Sequence, residues 1–101
     1  MSGNYILAED GKTPFETDLA TWCKWFEKAD RKVANTVNDN VRVSTVFLGI
    51  NHNFGEGPPL LFETMIFGGE YDDEQWRYAT WNEALAGHKK ACDLITQETS
   101  R

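Results

Sequence analysis

Two stretches in the middle of the chain alternate between apolar and polar positions. Val41, Val43, Thr45 and Phe47 fall on one side of an extended segment, and Leu60, Phe62, Thr64 and Ile66 fall on one side of another. Successive side chains of a strand point to opposite faces, so residues 41–50 and 60–67 are predicted to be strands. Gly68-Gly69 and an acidic turn lead to a third, 75–79, whose Trp76 and Tyr78 continue the same apolar face. Residues 4–8 and 13–17 read as two short strands around the turn Glu9-Asp10-Gly11-Lys12. Residues 31–40 are polar, with Asn38-Asp39-Asn40 as a turn, and 32–37 could form a marginal edge strand.

Helical spacing appears twice. Asp18 can cap a helix from 19 to about 30, in which Leu19, Trp22, Cys23 and Phe26 recur as the expected buried stripe, with Trp25 at its edge. Thr80-Trp81-Asn82-Glu83 is a capping box that opens a second helix, running to about 96. Trp81, Leu85, His88, Cys92 and Ile95 share one face of that helix. Gly87 inside it costs about 1 kcal/mol relative to Ala, which points to close packing against the sheet. The expected fold is α+β: an antiparallel β-sheet of three or more strands with two helices packed on one face, in a single domain over 1–101.

The opposite face of that sheet is unusual. It carries Arg42, Glu63, Gln75 and Arg77, which suit solvent, but also Val46, Leu48, Leu61, Met65 and Phe67, which do not. Tyr5-Ile6-Leu7 can cover only part of it. The five apolar residues are therefore expected to form an interface, either in a homodimer or with another protein.

Composition narrows the field. Apolar residues make up 41% of 101 residues, with four Trp, six Phe and three Tyr, enough for one core and too many for a disordered tail. A net charge of −6 without a basic stripe disfavours direct nucleic-acid binding. Met1-Ser2-Gly3-Asn4 shows no export signal, and no apolar run approaches the ~20 residues that span a bilayer, so a cytoplasmic protein without membrane contact is expected. Cys23 and Cys92 lie on the apolar sides of predicted helices, where free buried thiols are expected ahead of a disulfide.

Most residues able to do chemistry sit in the loop 50–59. His52, Asn53, Phe54 and Glu56 are its candidate binding residues, beside Gly55, Gly57, Pro58 and Pro59, which are turn devices. Glu63 lies in an otherwise uncharged strand. It is either a general base or metal ligand, or the partner of Arg42 or Arg77 in a cross-strand pair, and the pair is the expected role. His88 on the apolar helix face is expected to be a hydrogen-bonded core residue. Cys23, His52, Glu63, His88 and Cys92 show no chelating spacing, so neither a metal nor any other cofactor is expected, and no nucleophile motif is present. The element order also resembles a double-stranded-RNA-binding domain, with His88-Lys89-Lys90-Ala91 in the place of its basic patch, but the acidic balance and the mid-helix lysines argue against that function.

Longer strings carry a second resemblance. Asp18-Leu19-x-x-Trp22, Trp25-Phe26-Glu27-x-Ala29-Asp30-Arg31-x-Val33-Ala34, Val43-Ser44-Thr45-Val46-Phe47-Leu48-Gly49, Gly57-Pro58-Pro59-Leu60-Leu61-Phe62-Glu63-Thr64-Met65 and Arg77-Tyr78-x-Thr80-Trp81-x-Glu83-Ala84-x-x-Gly87-His88 are similar to a family of small phage- and prophage-encoded proteins. The likeness covers roughly residues 13–91 and brings no assigned activity, cofactor or catalytic residue. It implies a protein of the bacterial host cytoplasm that binds and modulates or inhibits a host or defence protein. Two other functions are weighed beside it: a small-molecule or nucleotide binder, or weak hydrolase, using the 50–59 loop with Glu63, and a virion or assembly component. The expected discriminator is whether the His52 loop closes a concave pocket or stands out as a rim.

Overall fold

The structure, a computed structural model, describes residues 3–99; Met1 and Ser2 of the opening segment lie outside the described residues. The chain runs β1 (Tyr5–Leu7), β2 (Pro14–Glu16), α1 (Leu19–Lys28), β3 (Lys32–Asn38), β4 (Val41–Phe47), β5 (Phe62–Phe67), β6 (Gln75–Tyr78) and α2 (Trp81–Thr99). Strands β3-β4-β5-β6 form one antiparallel sheet in sequence order, and β1-β2 form a separate hairpin. The fold is α+β.

The alternating pattern sorts the main sheet as its residues require. Val43, Thr45, Phe47, Phe62, Thr64 and Ile66 have no exposed surface, while Arg42, Ser44, Glu63 and Met65 between them face outward. The register sets Thr45 beside Thr64, and Thr64 beside Trp76, on the inner face. Helix α2 lies across that face, placing Ala84, Ala91 and Ile95 in the core. Its start is the expected capping box: the Glu83 amide donates to Thr80 Oγ1 at 3.1 Å, and the Thr80 amide donates to Glu83 Oε1 at 3.1 Å.

Helix α1 packs differently. Asp18 caps it as expected, accepting from the Thr21 amide at 2.8 Å and the Thr21 hydroxyl at 3.0 Å, bonds that lower the Asp18 carboxyl from its ordinary pKa. Yet none of its residues is buried, Leu19 is 62% exposed and Cys23 is exposed, which corrects the expected stripe and the expected buried thiol. The helix contacts β1, and its aromatic side chains reach the end of β4 and Gly49. Trp25 meets Phe47 edge-on, with ring centroids 5.7 Å apart, at the end of the sheet face that α2 covers. Trp22 stacks on Phe26 at 4.4 Å and donates its indole N–H to Gly49 O at 2.9 Å. Cys92 is free and half-buried.

Gly49 is the point where three elements meet. Its carbonyl accepts from Trp22 and also from the Tyr5 amide at 2.8 Å, while Asn4 bridges Ile50. Its φ of 78° suits glycine, and a Cβ there would lie 2.7 Å from the Phe26 ring. The hairpin turn between β1 and β2 is organised by Asp10. The Thr13 hydroxyl, then the Thr13 and Lys12 amides, donate to its carboxylate and hold its pKa down to about 2.

Candidate functional site

The loop that joins β4 to β5 starts from the Gly49 junction. Asn51 Oδ1 accepts from the Asn53 amide at 2.8 Å and the Leu60 amide at 3.1 Å, tying the two ends of the loop together. Asn53 organises the tip: its side-chain nitrogen donates to Glu56 O at 3.1 Å and Pro58 O at 2.9 Å, and its oxygen accepts from the Gly55 amide at 3.0 Å. Asparagine suits both places because its short amide offers donors and an acceptor to neighbouring backbone. His52 turns inward on its own segment, with Nδ1 2.8 Å from Ile50 O.

The Phe54 side chain at the tip takes no part in this hydrogen bonding. It is 92% exposed, the most exposed of the large apolar side chains among the described residues. The loop is therefore a projecting rim rather than a closed pocket. Of the five candidate binding residues, His52, Asn53, Phe54 and Glu56 belong to this rim. Glu63 does not: it pairs with Arg77, Oε2 to Nε at 3.0 Å, across the neighbouring strands. An ion pair this open to solvent contributes about 1 kcal/mol or less.

The outer sheet face is less apolar than expected. Leu61 is corrected outright. It is only 2% exposed and packs with Leu7, Phe47, Phe62 and Ala84. Strand alternation breaks there, because Leu61 O accepts from the Leu48 amide while its own amide donates sideways to Tyr78 O. Val46, Leu48 and Met65 are half-buried and Phe67 is 36% exposed. The Arg42 guanidinium lies over the Phe67 ring, 4.4 Å from its centroid, and shields part of it. Val37 of β3, not singled out in the sequence, shares this face opposite Arg42 and is 63% exposed. Its position in an edge strand between polar residues was the only available signal.

The buried polar residues Thr45, Thr64 and His88 form one chain, which ends at the exposed Thr36. Thr36 Oγ1 lies 2.9 Å from His88 Nε2, His88 Nδ1 lies 2.8 Å from Thr45 Oγ1, and Thr45 Oγ1 lies 2.6 Å from Thr64 Oγ1. Burial pushes the His88 pKa down, which favours the neutral ring. Each of these atoms is occupied by another member of the chain, so the arrangement specifies the helix–sheet contact and His88 is structural, as its sequence position predicts.

Among the described residues, no group of three or more His, Cys, Asp or Glu is placed to hold a metal ion, and no helix is long and apolar enough to cross a membrane. Comparison of the chain with protein-family models, with curated proteins and with solved structures gives no match.

Proposed function

We propose that this protein is an interaction module that binds a macromolecular partner through the 50–59 loop, with Phe54 as the anchoring side chain. The observation that carries this reading is a phenylalanine 92% exposed at the tip of a loop held by Asn51 and Asn53. Burying such a ring in a partner's pocket is worth about 1.5–3 kcal/mol. A loop already ordered by its own hydrogen bonds loses little entropy on docking. The half-apolar outer sheet face, with Val37, Val46, Leu48, Met65 and Phe67, supports the same class of function and is the surface on which a homodimer would form. The resemblance to phage and prophage proteins makes the partner a host or defence protein of the bacterial cytoplasm, which this protein modulates or inhibits.

The test is affinity purification from phage-infected or expressing cells, with wild type and Phe54→Asp compared side by side. The reading requires a partner that is retained by the wild type, lost by the variant, and reconstituted from purified components. Equal recovery with a normally folded Phe54→Asp protein would refute it.

A further inference from the structure

A single helix is too narrow for this sheet. Four strands span about 14 Å between their outermost axes, whereas a helix is about 10–12 Å across and meets the sheet along one stripe. Helix α2 packs on β3, β4 and β5 more closely than on β6. The uncovered flank is a groove of about 680 Å3 between Trp76 and Tyr78 of β6 and Ala86, Gly87, Lys90 and Leu94 of α2. That volume is in the range of ligand-binding clefts.

One wall of the groove is a sheet edge. Strand β6 ends the sheet and, among the described residues, pairs only with β5. The bond from the Ile66 amide to Glu74 O sets the phase of this pairing, so Trp76 and Tyr78 turn their backbone groups to β5 and Gln75 and Arg77 turn theirs to the open side. The next outward donor, the Ala79 amide, is taken by Glu83 Oε1 at 3.3 Å. Charge adds a preference. The exposed Asp73 and Glu74 lead directly into β6, and Glu83 and Asp93 outnumber Lys90 along the groove.

We propose that the edge of β6 and the groove beside it bind an extended, basic segment of a partner protein, which adds as a fifth strand and lays alternate apolar side chains against Trp76 and Tyr78. The backbone amides and carbonyls of Gln75 and Arg77 supply the ladder, the two aromatic rings the apolar contact, and the surrounding carboxylates the preference for Lys or Arg. This surface is separate from the Phe54 loop, so it stands or falls independently of the reading given for that loop.

The probe is a synthetic heptapeptide, acetyl-Lys-Val-Lys-Val-Lys-Val-Lys-amide, titrated into the nitrogen-15-labelled full chain, with the Glu-for-Lys peptide as control. The expected result is amide shift changes and slowed hydrogen exchange at Gln75 and Arg77. Affinity should be roughly tenfold weaker for the acidic peptide. It should also fall roughly tenfold for Ala86→Phe, which fills the groove from an exposed helix position, and for Gln75→Pro, which removes one outward donor while sparing the β5 ladder. Thermal melts establish that both variants are folded; if one is not, the other decides. Shifts confined to other surfaces, equal affinity for the acidic peptide, or undiminished binding to folded Ala86→Phe would overturn the proposal. Concentration-dependent protection of the Gln75 and Arg77 amides without peptide would also overturn it, in favour of edge pairing between two copies of this chain.

Discussion

Nδ1 of His88 lies 2.8 Å from Oγ1 of Thr45, and this contact joins the middle of α2 to the middle of β4 through polar atoms in an otherwise apolar layer. The Thr45 hydroxyl also meets Thr64 Oγ1 at 2.6 Å, so it serves two partners with no exposure to water. Thr45→Val keeps the shape and removes both bonds, leaving His88 and Thr64 each short of a partner. We expect a loss of about 1–3 kcal/mol in denaturant unfolding. A change within experimental error would mean that the chain of hydroxyls does not contribute to stability.

The same histidine sets a pH dependence. Its pKa is lowered in the fold from an ordinary 6.5, so the unfolded state takes up the proton first. The stabilisation that follows from the neutral ring is complete above about pH 6.5 and declines as pH falls from there toward the lowered folded value. His88→Phe should lack this decline when melting temperature is followed from pH 8 to pH 5. Asp10 and its Thr13 bonds act in a separate window, where stability falls between about 3.8 and about 2 as the carboxylate is protonated.

Gly87 and Tyr78 form a second coupled pair. A Cβ at Gly87 would collide with the Tyr78 hydroxyl and ring, although alanine alone would favour the helix by about 1 kcal/mol. Gly87→Ala should therefore destabilise the protein by about 1–3 kcal/mol. In a Tyr78→Ala background the same substitution should become neutral or stabilising, and a double-mutant cycle without coupling would contradict the packing described.

The capping box gives a smaller effect. Thr80→Ala removes the acceptor for the Glu83 amide and should cost about 1 kcal/mol, read as a lowered melting temperature.

Loop substitutions should separate binding from folding. Phe54→Ser touches a side chain almost wholly in water and should leave stability within about 0.5 kcal/mol of wild type. Asn53→Ala releases Glu56 O, Pro58 O and the Gly55 amide, and should speed protease cleavage within residues 52–59 without lowering the global unfolding midpoint.

Local rules determined much of this protein. Period-two alternation placed Val43, Thr45, Phe62, Thr64 and Ile66 inside, capping chemistry placed the starts of both helices, and strand register brought Glu63 to Arg77. Each depends on neighbours one strand or one turn away, which the order of residues specifies directly. Tertiary packing decided the rest. The apolar stripe of α1 did not reveal that the helix packs on β1 and through Trp25 on Phe47, leaving Leu19 and Cys23 exposed. Alternation assigned Leu61 to the outer face until an irregular bond to Tyr78 and the cover of Leu7 turned it inward. The groove beside β6 lies where α2 makes its loosest contact with the sheet, which depends on how the helix is set on the strands rather than on any local pattern. Burial and exposure are set by what arrives from distant parts of the chain, and only the folded arrangement says what arrives.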